Sequence, residues 1–164
     1  MKRQKSNELL AWKTSPDRKP LILRGARQVG KTWLMKEFGK SNYDQTVYVN
    51  FEKNKRLKSL FDDDFDIPRI IVALQIESGL TISAESTLII LDEIQEAPQA
   101  ITALKYFCED APQYHIIAAG SLLGLALHSN ISFPVGKVEF MDLYPLNFPE
   151  FLEALGGIAL PNLL

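Results

Sequence analysis

Residues Gly25-Ala26-Arg27-Gln28-Val29-Gly30-Lys31-Thr32 fit the spacing G-x-x-x-x-G-K-[ST], and the chemistry of that spacing is phosphate binding. Such a loop wraps so that successive backbone N–H groups point at phosphate oxygens. Glycines let the backbone come close and take φ angles that other residues avoid. Lys31 would neutralise β- and γ-phosphate charge, and Thr32 would place its hydroxyl on a magnesium ion. The helix that follows offers the positive end of its dipole to the same anion. Trp33, the next residue, joins the candidate nucleotide contacts. Arg27 either touches phosphate or lies on the surface. The expected ligands are ATP and Mg²⁺.

A second group of candidates lies further along. The run Leu88-Ile89-Ile90-Leu91 ends in Asp92-Glu93. A continuous apolar run of this length suits a strand buried on both faces in a parallel sheet. Ligands of open α/β sheets bind outside the carboxyl ends of the strands, so loop and acidic pair should meet at one edge. Asp92 would then hold Mg²⁺, and Glu93 would polarise the attacking water as general base. The run His115-Ile116-Ile117-Ala118-Ala119 is followed by Gly120-Ser121. Ser121 suits either a polar sensor near the γ-phosphate or the cap of a following helix. His115 and His128 have no metal-ligand spacing and read as structural or exposed. Cys108, the one cysteine, falls in an apolar helical pattern and reads as a small buried hydrophobe.

These residues need elements to position them. Asn7 to Lys13 suits a short helix with Ser6 as cap, and Ser15-Pro16-Asp17 a turn. Pro20-Leu21-Ile22-Leu23 is an apolar run leading into the loop, and Lys31 to Gly39 reads as a helix with Gly39 as C-cap. Thr46 to Phe51 is rich in β-branched and aromatic residues and predicts a strand, with charged helical sequence after it. Helices are expected over Ile67 to Leu80, Pro98 to Glu109 and Ser121 to His128. Val138-Glu139-Phe140 suits a strand, and Asn147 to Leu155 a helix capped by Asn147. Strands alternating with helices predict an α/β, three-layer P-loop fold with a mostly parallel sheet flanked by helices. The expected division is an N-terminal helical segment, 1–18, a P-loop core, 19–130, and a region, 131–164, that ends the core and starts a truncated C-terminal part. The apolar close Pro161-Asn162-Leu163-Leu164 suggests that truncation.

Composition sets the limits. The chain has 164 residues, 46% hydrophobic and 23% charged, as soluble globular domains do. A net charge of −2 gives no global field to attract nucleic acid. Two local basic groups, Lys2, Arg3, Lys5 and Lys53, Lys55, Arg56, Lys58, read as solvated surface. A single cysteine allows no internal disulfide and fits a reducing, cytoplasmic setting. No run reaches the ~18 apolar residues of a membrane helix, so no membrane partner is expected.

The runs Arg24 to Thr32, Leu91-Asp92-Glu93-Ile94-Gln95 and Ala119-Gly120-Ser121-Leu122-Leu123-Gly124 come in a characteristic order. Phe133 to Phe140, Leu143-Tyr144-Pro145-Leu146 and Phe148-Pro149-Glu150-Phe151-Leu152 follow. In that order they resemble a family of prokaryotic AAA+-superfamily ATPases, from about Pro20 to Leu155. The resemblance implies an AAA+-type core, usually followed by a C-terminal domain of unknown function. It implies Lys31, Thr32, Asp92 and Glu93 in the roles given, with Ser121 in the sensor region. Relatives often have Gly-Arg where this chain has Gly136-Lys137, and lysine lacks the bidentate fork of arginine. Rings are frequent among such proteins, so a homo-oligomer is one expected partner. A partner protein or DNA, reached through the missing domain, is another.

The leading expectation is an ATPase that couples Mg-ATP hydrolysis to conformational change. Alternatives are a nucleotide-binding switch with little hydrolysis and a small-molecule kinase, which shares the loop. The Asp92-Glu93 pair favours a hydrolase, since a kinase needs no water-activating glutamate. No arginine follows Arg69, so an arginine-rich lid is missing. So is the N-K-x-D run that would mark GTP specificity.

Overall fold

The computed structural model describes residues 5–26, 30–121 and 134–144. Five strands, β1 (Leu21–Gly25), β2 (Gln45–Asn50), β3 (Thr87–Asp92), β4 (His115–Ser121) and β5 (Glu139–Leu143), pair in the order β2-β3-β4-β1-β5. All four pairings are parallel. Four α-helices, α1 (Lys5–Thr14), α2 (Lys31–Asn42), α3 (Ile67–Ser78) and α4 (Pro98–Asp110), cover the two faces. The expected three-layer α/β fold is present.

Side-chain alternation along each strand builds the two interfaces. Ile22, Val47, Val49, Ile89, Leu91, Ile116 and Ala118 face one core, closed by Ile70, Ile71 and Leu74 of α3 and Ala100, Leu104 and Phe107 of α4. Leu21, Leu23, Leu88, Ile90, Ile117 and Ala119 face the other, closed by Leu9 and Trp12 of α1 and Leu34, Met35 and Phe38 of α2. The central strands β3 and β4 are buried at every position, which explains their unbroken apolar runs. Helix α1 thus packs into the same core as the strand that leads to the loop.

Several boundaries differ from expectation. The charged stretch after β2 forms a 3₁₀ helix, Lys55–Phe61, rather than an α-helix. Helix α1 begins at Lys5, so Ser6 lies inside it. Strand β4 runs through Gly120 and Ser121, so Ser121 is its last residue. The expected helices over Ser121 to His128 and Asn147 to Leu155 fall, beyond Ser121, outside the described residues. Strand β5 starts one residue later than expected and extends to Leu143, where Arg24 pairs with Asp142 at 2.8 Å and lies over the Phe140 ring.

Gly39 does not cap α2, which continues to Asn42 with Tyr43 as C-cap. The glycine serves packing instead. A Cβ at Gly39 would lie 2.5 Å from Thr46 Oγ1, 3.0 Å from Thr46 Cγ2 and 3.2 Å from Leu88 Cδ2. Thr46 and Leu88 together crowd the position, so the neighbours must shift to admit a methyl group. Gly39→Ala gains up to about 1 kcal/mol in helix propensity and loses about 1–3 kcal/mol to overpacking. The expected net effect is destabilisation, read as a lower midpoint in urea unfolding.

His115 opens β4, at the sheet edge opposite the loop, and is buried. Its Nδ1 is 2.7 Å from the Tyr43 hydroxyl, and its Nε2 has no partner. Burial first, then the positive charges of Arg18 and Lys13, push its pKa down to about 4. Between that value and its ordinary 6.5, the unfolded chain binds the proton and the folded chain does not. Stability therefore rises with pH through this window and levels off above it. Urea unfolding from pH 4 to 7 should show a loss on the order of 2 kcal/mol at the acid end, and His115→Gln should remove most of that slope.

Candidate functional site

Parallel pairing carries the ends of β1, β3 and β4 to one edge of the sheet. Gly25 lies beside Ser121 in register, and Asp92 beside Asn50. Since β4 separates β1 from β3, the loop and the acidic pair start two strand spacings apart, roughly 10 Å. Helix α2 closes the gap.

Gly30 precedes α2 in the left-handed region, φ 90°, where only glycine is unstrained. Its carbonyl accepts from Leu34 N at 2.9 Å, the first bond of the helix. Lys31 is 8% exposed, and its Nζ donates to the carbonyls of Gly25 at 2.9 Å and Ala26 at 2.7 Å. The ammonium thus sits against the chain where it leaves β1. Arg27, Gln28 and Val29 lie outside the described residues. Trp33 turns its ring to a groove with Leu10 of α1, which leaves its backbone N–H as the group available to an anion at the start of α2.

The Asp92 carboxylate is 2% exposed and joins three elements. Thr32 Oγ1, from α2, donates to its Oδ2 at 2.6 Å. The Tyr48 hydroxyl, from β2, donates to the same oxygen at 2.6 Å. The backbone N–H of Glu93 donates to Oδ1 at 2.9 Å. Behind Tyr48, Asn50 Nδ2 donates to the phenol oxygen at 3.3 Å, while Asn50 Oδ1 accepts the N–H groups of Glu52 and Lys53. Lys36 Nζ stands 4.0 Å over the Tyr48 ring. Burial, then the bond to Asp92, pushes the Tyr48 phenol up to about 12, so at neutral pH it remains a donor.

Glu93 follows in the left-handed region, φ 53° and ψ 46°, a conformation that costs a non-glycine residue about 1–2 kcal/mol. The chain turns there into a 3₁₀ segment, Ile94–Glu96. Gln95 is 2% exposed and donates from Nε2 to Glu93 Oε2 at 2.5 Å. Its own Oε1 has no partner. Ser121 is buried at the end of β4, next to the loop strand.

Thr32 and Asp92 present hard oxygen donors beside the phosphate loop, as a magnesium ion requires. The described residues contain no group of three or more His, Cys, Asp or Glu that could hold a metal. A two-ligand protein contribution, completed by phosphates and water, is the usual arrangement for Mg²⁺. The residues therefore fit the ion.

The structure thus brings Gly25, Ala26, Gly30, Lys31, Thr32, Asp92, Glu93 and Ser121 to one edge. Sequence reasoning missed Tyr48, Asn50 and Gln95. Tyr48 and Asn50 alternate with the core residues Val47 and Val49, which signals a shared second face. Nothing local says that this face meets Asp92.

The family model described as an AAA domain matches residues 17–152. No curated protein matches the chain. Among solved structures, that of the Aeropyrum pernix ORC1 protein in complex with DNA is similar, with a TM-score of 0.51 and 14% identity. The match covers 93% of this chain and 46% of that one, so this chain spans less than half of that protein's length. At such identity the likeness concerns the fold.

Proposed function

We propose that this chain, which belongs to the AAA domain family and is a nucleotide-binding domain of the AAA+ superfamily, hydrolyses Mg-ATP to drive conformational change in a larger protein. The observation that supports this most is the single carboxylate, Asp92, bonded to the residue after the loop lysine and adjoining a second carboxylate, Glu93.

In this reading the loop amides from Gly25 to Thr32 bind the phosphates. Lys31 leaves the carbonyls of Gly25 and Ala26 for the β- and γ-phosphates, since a charged phosphate oxygen outcompetes a neutral carbonyl for an ammonium. Thr32 and Asp92 hold Mg²⁺, Asp92 through water. The ion, when bound, screens phosphate charge. Glu93 takes the proton of the attacking water, and Ser121 stands by the γ-phosphate as a polar sensor. Self-association, and DNA or a partner protein engaged through a further domain, complete the proposal. The cellular setting proposed is the cytoplasm; no described helix is long and apolar enough to cross a membrane.

A nucleotide-dependent switch with slow turnover is the second reading. The hydrogen bond that Gln95 places on Glu93 favours it, because the carboxylate oxygen held by that amide must change partners before it can take a proton from water.

Calorimetric titration with ATP, with and without Mg²⁺, tests the site. Micromolar binding that is weaker without Mg²⁺ is expected, and Lys31→Ala should abolish it. Absence of binding by the parent chain would sink the proposal. Glu93→Gln should keep ATP affinity and lose turnover by about 10²- to 10⁴-fold. Equal turnover in that variant would remove Glu93 from the role of base.

A further inference from the structure

Asp92 carries more hydrogen bonds than one loop hydroxyl requires. Its Oδ1 is committed to the Glu93 N–H, and its Oδ2 accepts from both Thr32 and Tyr48. The two hydroxyls arrive from different layers: Thr32 from the helix after the loop, Tyr48 from the edge strand β2. We propose that Tyr48 is a positioning residue for the metal end of the site, fixing the orientation of the Asp92 carboxylate so that it meets the hydrated cation without rearranging. This rests on the Mg-ATP reading above.

A carboxylate has roughly four lone-pair positions. Three donors among the described residues define the carboxylate plane and occupy three of those positions. Thr32 alone cannot do this, because its hydroxyl must also present an oxygen to the cation. The Tyr48 phenol is itself anchored. Asn50 donates to its oxygen, Lys36 lies over its ring, and the ring packs against the core under α2. Outer groups that hold a metal-binding carboxylate typically change metal affinity by about 10- to 100-fold when removed.

Tyr48→Phe is the test, since it keeps the ring, its packing and the Lys36 contact and removes only the hydroxyl. ATP binding to parent and variant is titrated against Mg²⁺ concentration, with a parallel measurement in EDTA and a thermal melt without nucleotide. The expected result is a Mg²⁺ midpoint raised about tenfold, with unchanged affinity in EDTA. In an Asp92→Asn background, Tyr48→Phe should add no further shift. An unchanged Mg²⁺ midpoint in the variant overturns the assignment. So does equal weakening with and without Mg²⁺, or failure of the variant to fold, because either makes Tyr48 merely structural. If the parent chain itself binds ATP indifferently to Mg²⁺, the Mg-ATP reading fails and this one with it. A parent that responds to Mg²⁺ beside a variant that responds alike sinks this assignment alone.

Discussion

The hydrogen bonds converging on Asp92 are the constraint around which the site is built. A carboxylate only 2% exposed is costly unless its lone pairs are filled. Filling them here requires the start of α2, the far end of β2 and the turn after β3 to arrive at one point. That requirement fixes β2 next to β3 in a register that puts Tyr48 and Asn50 on the α2 side of the sheet. It also sets how closely α2 must approach β2 and β3. Gly39 makes that approach possible one helical stretch later, where a methyl group would meet Thr46 and Leu88. A local polar demand and a distant packing allowance thus serve one distance.

How much of this the sequence discloses depends on how local each cause is. Gly25 to Thr32 stands out as a candidate phosphate loop because its pattern sits in consecutive residues. Asp92 and Glu93 are legible because the apolar run before them can only be a central strand, and the end of such a strand is where ligands bind. Tyr48 reads as one more strand aromatic, since its partner is 44 positions away and strand order is not written in any segment. Gln95 reads as the residue of a family-like run, with nothing to say that it is buried. Gly39 reads as a C-cap, and the structure corrects that for a different reason. A glycine near the expected end of a helix signals a cap, and a glycine beneath a strand signals close approach; only the position of β2 separates the two. Ser121 suits a sensor or a cap by sequence, and only its pairing with Gly25 places it beside the loop strand.

The two carboxylates are supported unequally. Asp92 has three donors from three elements. Among the described residues Glu93 has one side-chain donor, Gln95, two residues away on the same turn, and its backbone is in the left-handed region. A rigid Asp92 suits a role in which geometry matters, since Mg²⁺ tolerates little departure from octahedral coordination. A carboxylate held by a single amide on its own turn can change partners without disturbing the sheet. The proposed base must do that: it has to accept a proton from water and give it up in every cycle. Gln95 can release Glu93 only if its amide finds another partner, and its unpaired buried Oε1 shows that its present arrangement is incompletely satisfied. The structure therefore divides the edge into a fixed end at Asp92 and an adjustable end at Glu93, and the strain at φ 53° lies on the adjustable side.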